Sequence, residues 1–133
     1  MRGTMGKVLA LGLGLAFALS AVVSVQAGEK RDPSTIKLAY VSMNLANPWC
    51  VAVKHGFEAA CKDLGVQAIS IDSQYKVDKQ VADLENVIND QYDGFTFIPI
   101  DPNATRAIVE DAKKRGIATA SIAQPQDNVN LIY

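Results

Sequence analysis

Residues 36–50 read "IKLAYVSMNLANPWC", and the two halves of this stretch obey different rules. Ile36–Ser42, "IKLAYVS", is apolar-rich and suits a buried strand. Five residues later Asn47 can cap a helix, with Pro48 at the first helical position, where a missing N–H costs nothing. Cys50, Val53, Phe57, Ala60, Cys61 and Leu64 then recur at steps of three and four, which predicts a helix with one buried face. Gly65 can turn left-handed and stop it. The same grammar returns in "GFTFIPIDP". There Gly94 opens a strand over Phe95–Ile100, and Asp101-Pro102 repeats the cap and the proline.

Between and beyond these two passages the alternation continues. Ala68–Asp72, "AISID", is a second strand. A second helix is expected from Val77 to Gln91, with Val77, Val81, Leu84 and Ile88 in line. Asp78, Lys79, Asp83 and Glu85 form its expected solvent face. In the third helix Ile108 and Ala112 keep the period until Lys113-Lys114-Arg115 meets the negative end of the helix dipole, and Gly116 ends it. Ile117–Ile122 is a fourth strand, and "NLIY", residues 130–133, begins a fifth. Apolar strands alternating with amphipathic helices make βαβ units on a parallel sheet covered on both faces. Right-handed crossovers then predict a doubly wound α/β fold with strand order 2-1-3-4. "NLIY" stops in mid-strand and reads as the edge of a fragment.

The N-terminus follows another logic. Arg2 and Lys7 precede Val8–Val23, "VLALGLGLAFALSAVV", which carries no charge, and "SVQA" follows with small residues at Val25 and Ala27. This is the pattern of a secretory signal peptide. The apolar run falls short of the ~20 residues a membrane span needs. Residues 1–27 are therefore expected to be cleaved after Ala27, leaving 28–35 as a linker and 36–133 as one incomplete lobe. Cleavage removes Arg2 and Lys7 and no acid, which takes the net charge of −1 to −3. A mildly acidic chain without a basic stripe gives nucleic acid nothing to hold.

Cys50 and Cys61 invite a disulfide in an exported protein. Both fall on one helix eleven residues apart, about 16 Å along its axis at 1.5 Å per residue. A disulfide bridges less than about 7 Å between Cα atoms, so they are expected as two half-buried free thiols. His55 is the only histidine, and neither a CxxC nor an HxxxH spacing exists to bind a metal.

In open parallel sheets ligands lie beyond the carboxyl ends of the strands, where the strand order reverses. Here those ends are Met43–Cys50, Asp72–Tyr75, Ile100-Asp101 and Ala123-Gln124. They hold amides, two aspartates and aromatic rings, a mixture suited to a neutral polyhydroxyl ligand. Helix capping accounts for Asn47 and Asp101 without any ligand. Trp49 has no capping role, although packing against the sheet would also explain it. No GxSxG, HExxH, Walker loop or GxGxxG occurs, and the carboxylates at 78, 83 and 85 read as a solvated face. Neither an enzyme nor a cofactor is implied.

The succession of "NPW", "ISIDSQ", "DKQVADLENVI", "DGFTFIPID" and "RGI" resembles the type I periplasmic sugar-binding proteins, the ribose-, xylose- and galactose-type receptors of bacterial ABC importers. The resemblance covers about Ile36–Gln124. It implies the N-terminal lobe of a two-lobed receptor that clasps a sugar or polyol and passes it to an inner-membrane permease. It further implies a periplasmic monomer with no cofactor. By position, Asn47 matches an asparagine that bonds sugar hydroxyls. Trp49 matches the first of two stacking aromatics, and Cys50 stands at the second. Gln124 lies where many members carry the Arg of an Asp-Arg pair, so the ligand's identity is left open. Asn44, Gln74 and Asp101 fall at the cleft rim. A repressor of the same fold would begin with a DNA-binding helix-turn-helix, where this chain has a leader. The sequence also leaves room for a receptor serving chemotaxis or a sensor kinase, a small exported α/β enzyme, or a truncated product that binds nothing.

Overall fold

The computed structural model describes residues 30–132. The expected leader and its expected cleavage site, residues 28 and 29, and Tyr133 lie outside the described residues. After a 3₁₀ turn at Pro33–Thr35, capped by Asp32, come β1 (Lys37–Ser42), α1 (Pro48–Leu64), β2 (Gln67–Asp72), α2 (Val77–Asn89), β3 (Gly94–Phe97), α3 (Pro102–Lys114), β4 (Ala118–Ser121) and β5 (Leu131–Ile132). All neighbouring pairs are parallel, in the order β2-β1-β3-β4-β5. The predicted doubly wound order holds, with β5 added beside β4.

Side-chain alternation along the strands sends residues to two faces. On one, Ala39, Val41, Phe95 and Phe97 pack beneath Leu84, Val87 and Ile88 of α2 and Ile108, Val109 and Ala112 of α3. On the other, Tyr40 and Ile98 pack with Cys50, Val53 and Phe57 of α1. That second face is only partly covered. An apolar groove of ≈270 Å³ runs beside α1, lined by Leu38, Phe57, Ala118, Ala120 and Leu131 among others.

This unequal cover corrects two expectations for α1. Leu64 is 65% exposed and Ala60 is also exposed, so the predicted buried stripe fails at those two positions. Cys50 and Cys61 are buried outright rather than by half, and both are free thiols. Burial pushes the Cys61 thiol above its ordinary pKa. The solvent face of α2 is also interrupted. Asp83, expected to face water, is 9% exposed and accepts hydrogen bonds from Ser73 Oγ and Lys79 Nζ, each at 2.8 Å. The third strand leaves its ladder at Phe97 instead of Ile100, since Pro99 has no N–H to donate. Similarly, α2 stops at Asn89, and Gln91 turns left-handed with φ 57°.

Candidate functional site

The four loops at the carboxyl ends of β1 to β4 are tied to each other and to the helices behind them. The Asp72 carboxylate ends β2, and its Oδ1 accepts the N–H groups of Leu45 at 3.0 Å and Gln74 at 2.9 Å. One side chain therefore holds the first and second loops together. Tyr75 N–H donates to Met43 O at 2.7 Å, and Ser73 N–H to Ser42 O at 3.0 Å, closing the same seam. Across the sheet, Ile98 N–H reaches Val41 O and Ile122 N–H reaches Phe97 O.

The third loop is held from behind. Gln80 of α2, 1% exposed, donates from Nε2 to Ile98 O at 2.8 Å and accepts Ile100 N–H at 2.8 Å. The fourth loop is pinned to α3. Thr105 Oγ1 donates to the buried Gln126 Oε1 at 3.0 Å, and Asn128 Nδ2 donates to Arg106 O at 2.8 Å.

On this frame the predicted residues fall into three groups. Asn44, Asn47 and Asp101 are partly buried and each spends one oxygen locally. Asn44 Oδ1 accepts Ala46 N–H at 2.8 Å, Asn47 Oδ1 accepts Trp49 N–H at 2.9 Å, and Asp101 Oδ1 accepts Asn103 N–H at 2.8 Å. Their other polar atoms, the two Nδ2 groups and Asp101 Oδ2, make no hydrogen bond among the described residues. Capping therefore leaves other polar atoms of the same side chains available. Trp49 (46% exposed), Gln74 and Gln124 stand open to solvent.

Cys50 departs from this pattern. It is 0% exposed, packed with Tyr40 and Ile98, and its carbonyl accepts the Tyr40 hydroxyl at 3.4 Å. A sealed thiol presents no wall to a ligand. The exposed aromatic beside Trp49's loop is instead Tyr75, 53% exposed. Sequence reasoning places Tyr75 at a strand end but gives it no part in the site, because the motif after β2 ends at the Gln of "DSQ". An aromatic immediately after that motif, at the mouth of a strand, is the available signal.

Backbone strain gathers at the same place. Of the four non-glycine residues with positive φ among the described residues, Gln74 (55°), Tyr75 (56°) and Ala123 (61°) are at strand exits. Gln124 N–H donates to Ile122 O at 2.8 Å across Ala123, which makes a tight three-residue turn. Left-handed conformations of this kind cost of order 1–3 kcal/mol each and concentrate at ligand sites. The strand order reverses between β1 and β3, so the crevice lies between the Asn44–Trp49 loop and the Ile98–Asp101 loop. No group of histidine, cysteine or acidic side chains capable of holding a metal occurs among the described residues.

Comparison with known proteins agrees with this fold. Residues 38–133 match the periplasmic binding protein domain family. The chain is 33% identical over 95 residues to the ribose import binding protein RbsB of Bacillus subtilis (strain 168), a match covering 71% of this chain and 30% of that protein. Among solved structures, the Caulobacter myo-inositol binding protein bound to myo-inositol superposes with TM-score 0.65 at 23% identity, over 78% of this chain and 36% of that one. An ABC transporter solute binding protein from Burkholderia graminis C4D1M, in complex with D-arabinose, gives TM-score 0.71 at 19% identity, over 77% and 35%. The chain thus spans about a third of the length of the relatives it matches.

Proposed function

This chain belongs to the periplasmic binding protein domain family, and from that premise we propose that it forms one wall of a sugar- or polyol-binding cleft in an ABC-type importer. The observation that carries the proposal is the pairing of Asn47 with Trp49 at the β1 exit. One amide is held by its cap while a half-exposed indole stands next to it. A polyhydroxyl ligand needs both, hydrogen-bonding groups for its hydroxyls and a flat ring for its C–H face.

In this reading Asn44, Asn47 and Asp101 meet hydroxyls with the polar atoms their caps leave over, and Gln74 and Gln124 close the rim. Trp49 supplies the ring, and Tyr75 takes the second aromatic place in lieu of Cys50. Residues 36–133 are the N-terminal lobe, residues 28–35 lead into it, and residues 1–27 direct export and are removed after Ala27. The partner that accepts the ligand is an inner-membrane permease, and the protein acts as a periplasmic monomer. Pockets bury most of their ligand's surface, so a single wall binds weakly, and tight binding needs an opposing lobe.

Trp49 is the only tryptophan, so its fluorescence reports the site directly. Titration with myo-inositol, D-ribose and D-arabinose should give a saturable change, and Trp49→Phe, which has no tryptophan left to report, should show weaker binding by calorimetry. A flat response to all three at high concentration would remove the proposal for this chain. Separately, N-terminal sequencing of the exported product should begin at Gly28.

A further inference from the structure

The loops after β2 and β3 face one cleft, yet their strands are not neighbours, because β1 lies between them. At about 4.8 Å per strand the two loops start nearly 10 Å apart, beyond the reach of a direct hydrogen bond. Helix α2 starts from the first of these loops, and its opening turns carry two buried polar side chains three residues apart. Side chains at that spacing sit on one helix face. Asp83 accepts the hydroxyl of Ser73, which is itself 0% exposed, in the loop after β2. Gln80 grips the loop after β3 at both Ile98 O and Ile100 N–H. An apolar residue at either position would fill the core without the desolvation cost of a buried amide or carboxylate. Gln80 spends both polar ends on its loop, and Asp83 shares its carboxylate between Ser73 of the other loop and Lys79 one turn back on α2.

We propose that Gln80 and Asp83 are positioning residues: together they form a bracket on α2 that fixes the gap between the Gln74 loop and the Asp101 loop. The bracket sets sugar affinity without touching the ligand, and this last step rests on the sugar-binding reading given above. The geometry has a plain consequence. Releasing either end lets one rim of the cleft drift while the sheet and both helices on that face stay folded.

The test uses the ¹⁵N-labelled chain and four substitutions, with amide exchange and Trp49 titration by myo-inositol, D-ribose and D-arabinose as readouts. In Gln80→Met the Ile100 amide should lose protection by about tenfold or more, the scale of one lost hydrogen bond. Leu84 and Val109 should keep theirs, and sugar affinity should fall by a similar factor. Gln80→Glu separates positioning from packing. Its carboxylate accepts from Ile100 but repels the Ile98 carbonyl, whereas the protonated acid can serve both. Protection and affinity should therefore recover as the pH is lowered, which a space-filling role does not produce. Asp83→Asn keeps an acceptor for Ser73 and should stay near wild type, while Asp83→Ala should loosen Gln74 and Tyr75. Unchanged Ile100 protection in Gln80→Met overturns the bracket, as does a released loop with unchanged affinity. Should wild type bind none of the three sugars while Gln80→Met still frees Ile100, the sugar reading fails and the placement of the loop by Gln80 stands. If Gln80→Met does not fold, the pH-dependent behaviour of Gln80→Glu decides alone.

Discussion

Asn47 Oδ1 accepts the backbone N–H of Trp49 at 2.9 Å, so the side chain that starts α1 is also held at the mouth of the cleft. The cap uses Oδ1, whereas the proposed ligand contact uses Nδ2, so the two can be separated. Asn47→Ala should lower stability by about 1 kcal/mol, the usual worth of an N-cap, and weaken sugar binding as well. Asn47→Ser keeps an oxygen for the cap but has no amide N–H. Its urea midpoint should recover while its affinity, read from Trp49 fluorescence, stays low. A serine variant that binds like wild type would take Asn47 out of the site.

Tyr75 sits at φ 56° with its ring 53% exposed, next to Gln74 at 55°. Glycine adopts this backbone freely, whereas an aromatic residue is strained there. Tyr75→Gly should therefore leave the protein as stable as wild type or up to ~1 kcal/mol more so, although it loses a large side chain. If the ring is the cleft's second aromatic surface, affinity should drop in the same variant. Gained stability with unchanged affinity would leave Tyr75 as a turn residue only.

Much of the fold is legible in the sequence because its signals are local. Asn47-Pro48 and Asp101-Pro102 both start helices, as a cap followed by proline predicts, and Gly65, with φ 72°, ends α1. The strand order follows from the alternation of elements. What cannot be read is which periodic residue meets a partner. Leu64 keeps the stripe of α1, yet the sheet face beneath that helix is only partly filled and the residue stays exposed. Asp83 looks like one charge among several on α2, and only its contact with Ser73 shows that it is buried. The cleft shows the same division. Asn47 and Trp49 stand in one continuous motif, while the Gln80 contacts join residues about twenty positions apart. Cys50 eludes sequence reading for the complementary reason, since adjacency to Trp49 in sequence says nothing about which way a helix turns its next side chain.

Acid should weaken the fold through a small set of carboxylates. Arg31, and then the backbone N–H of Lys37, hold Asp93 below its ordinary pKa, and Lys54, then Ser70, do the same for Glu58. A carboxylate whose folded pKa is depressed stabilises the protein above its unfolded value, about 3.9 for Asp and 4.3 for Glu. That contribution is lost as pH falls through the lower folded value. Urea midpoints should thus be flat from pH 7 to about 5 and decline below about 4. Asp93 accepts the first N–H of β1 at 2.9 Å through Oδ2. Asp93→Asn should lower the midpoint at pH 7 and shrink the acid decline, and an unaltered decline would assign it to other groups.

Gly94 opens β3 between Leu38 of β1 and Ala118 of β4. Its conformation is not the reason for glycine there; space is. A Cβ at this position would stand 3.1 Å from Ala118 O, 3.2 Å from Ala118 Cβ and 3.2 Å from Leu38 Cδ2. The leucine methyl can swing aside, but the Ala118 carbonyl belongs to the next strand and moves only if β4 moves. Overpacking of this kind costs typically ~1–3 kcal/mol. The reduced freedom of the unfolded chain returns roughly 0.4–1 kcal/mol of that. Gly94→Ala should therefore be destabilised by about 1 kcal/mol in urea unfolding. Adding Leu38→Val should recover only the part due to the methyl, because the carbonyl contact remains. Full recovery in the double variant would mean that β4 yields easily and that the side chain alone sets the limit. The loop carrying Asp101 hangs from the far end of β3. Any shift of that strand in Gly94→Ala would reach the cleft, and the single variant should bind sugar more weakly than its stability loss alone requires.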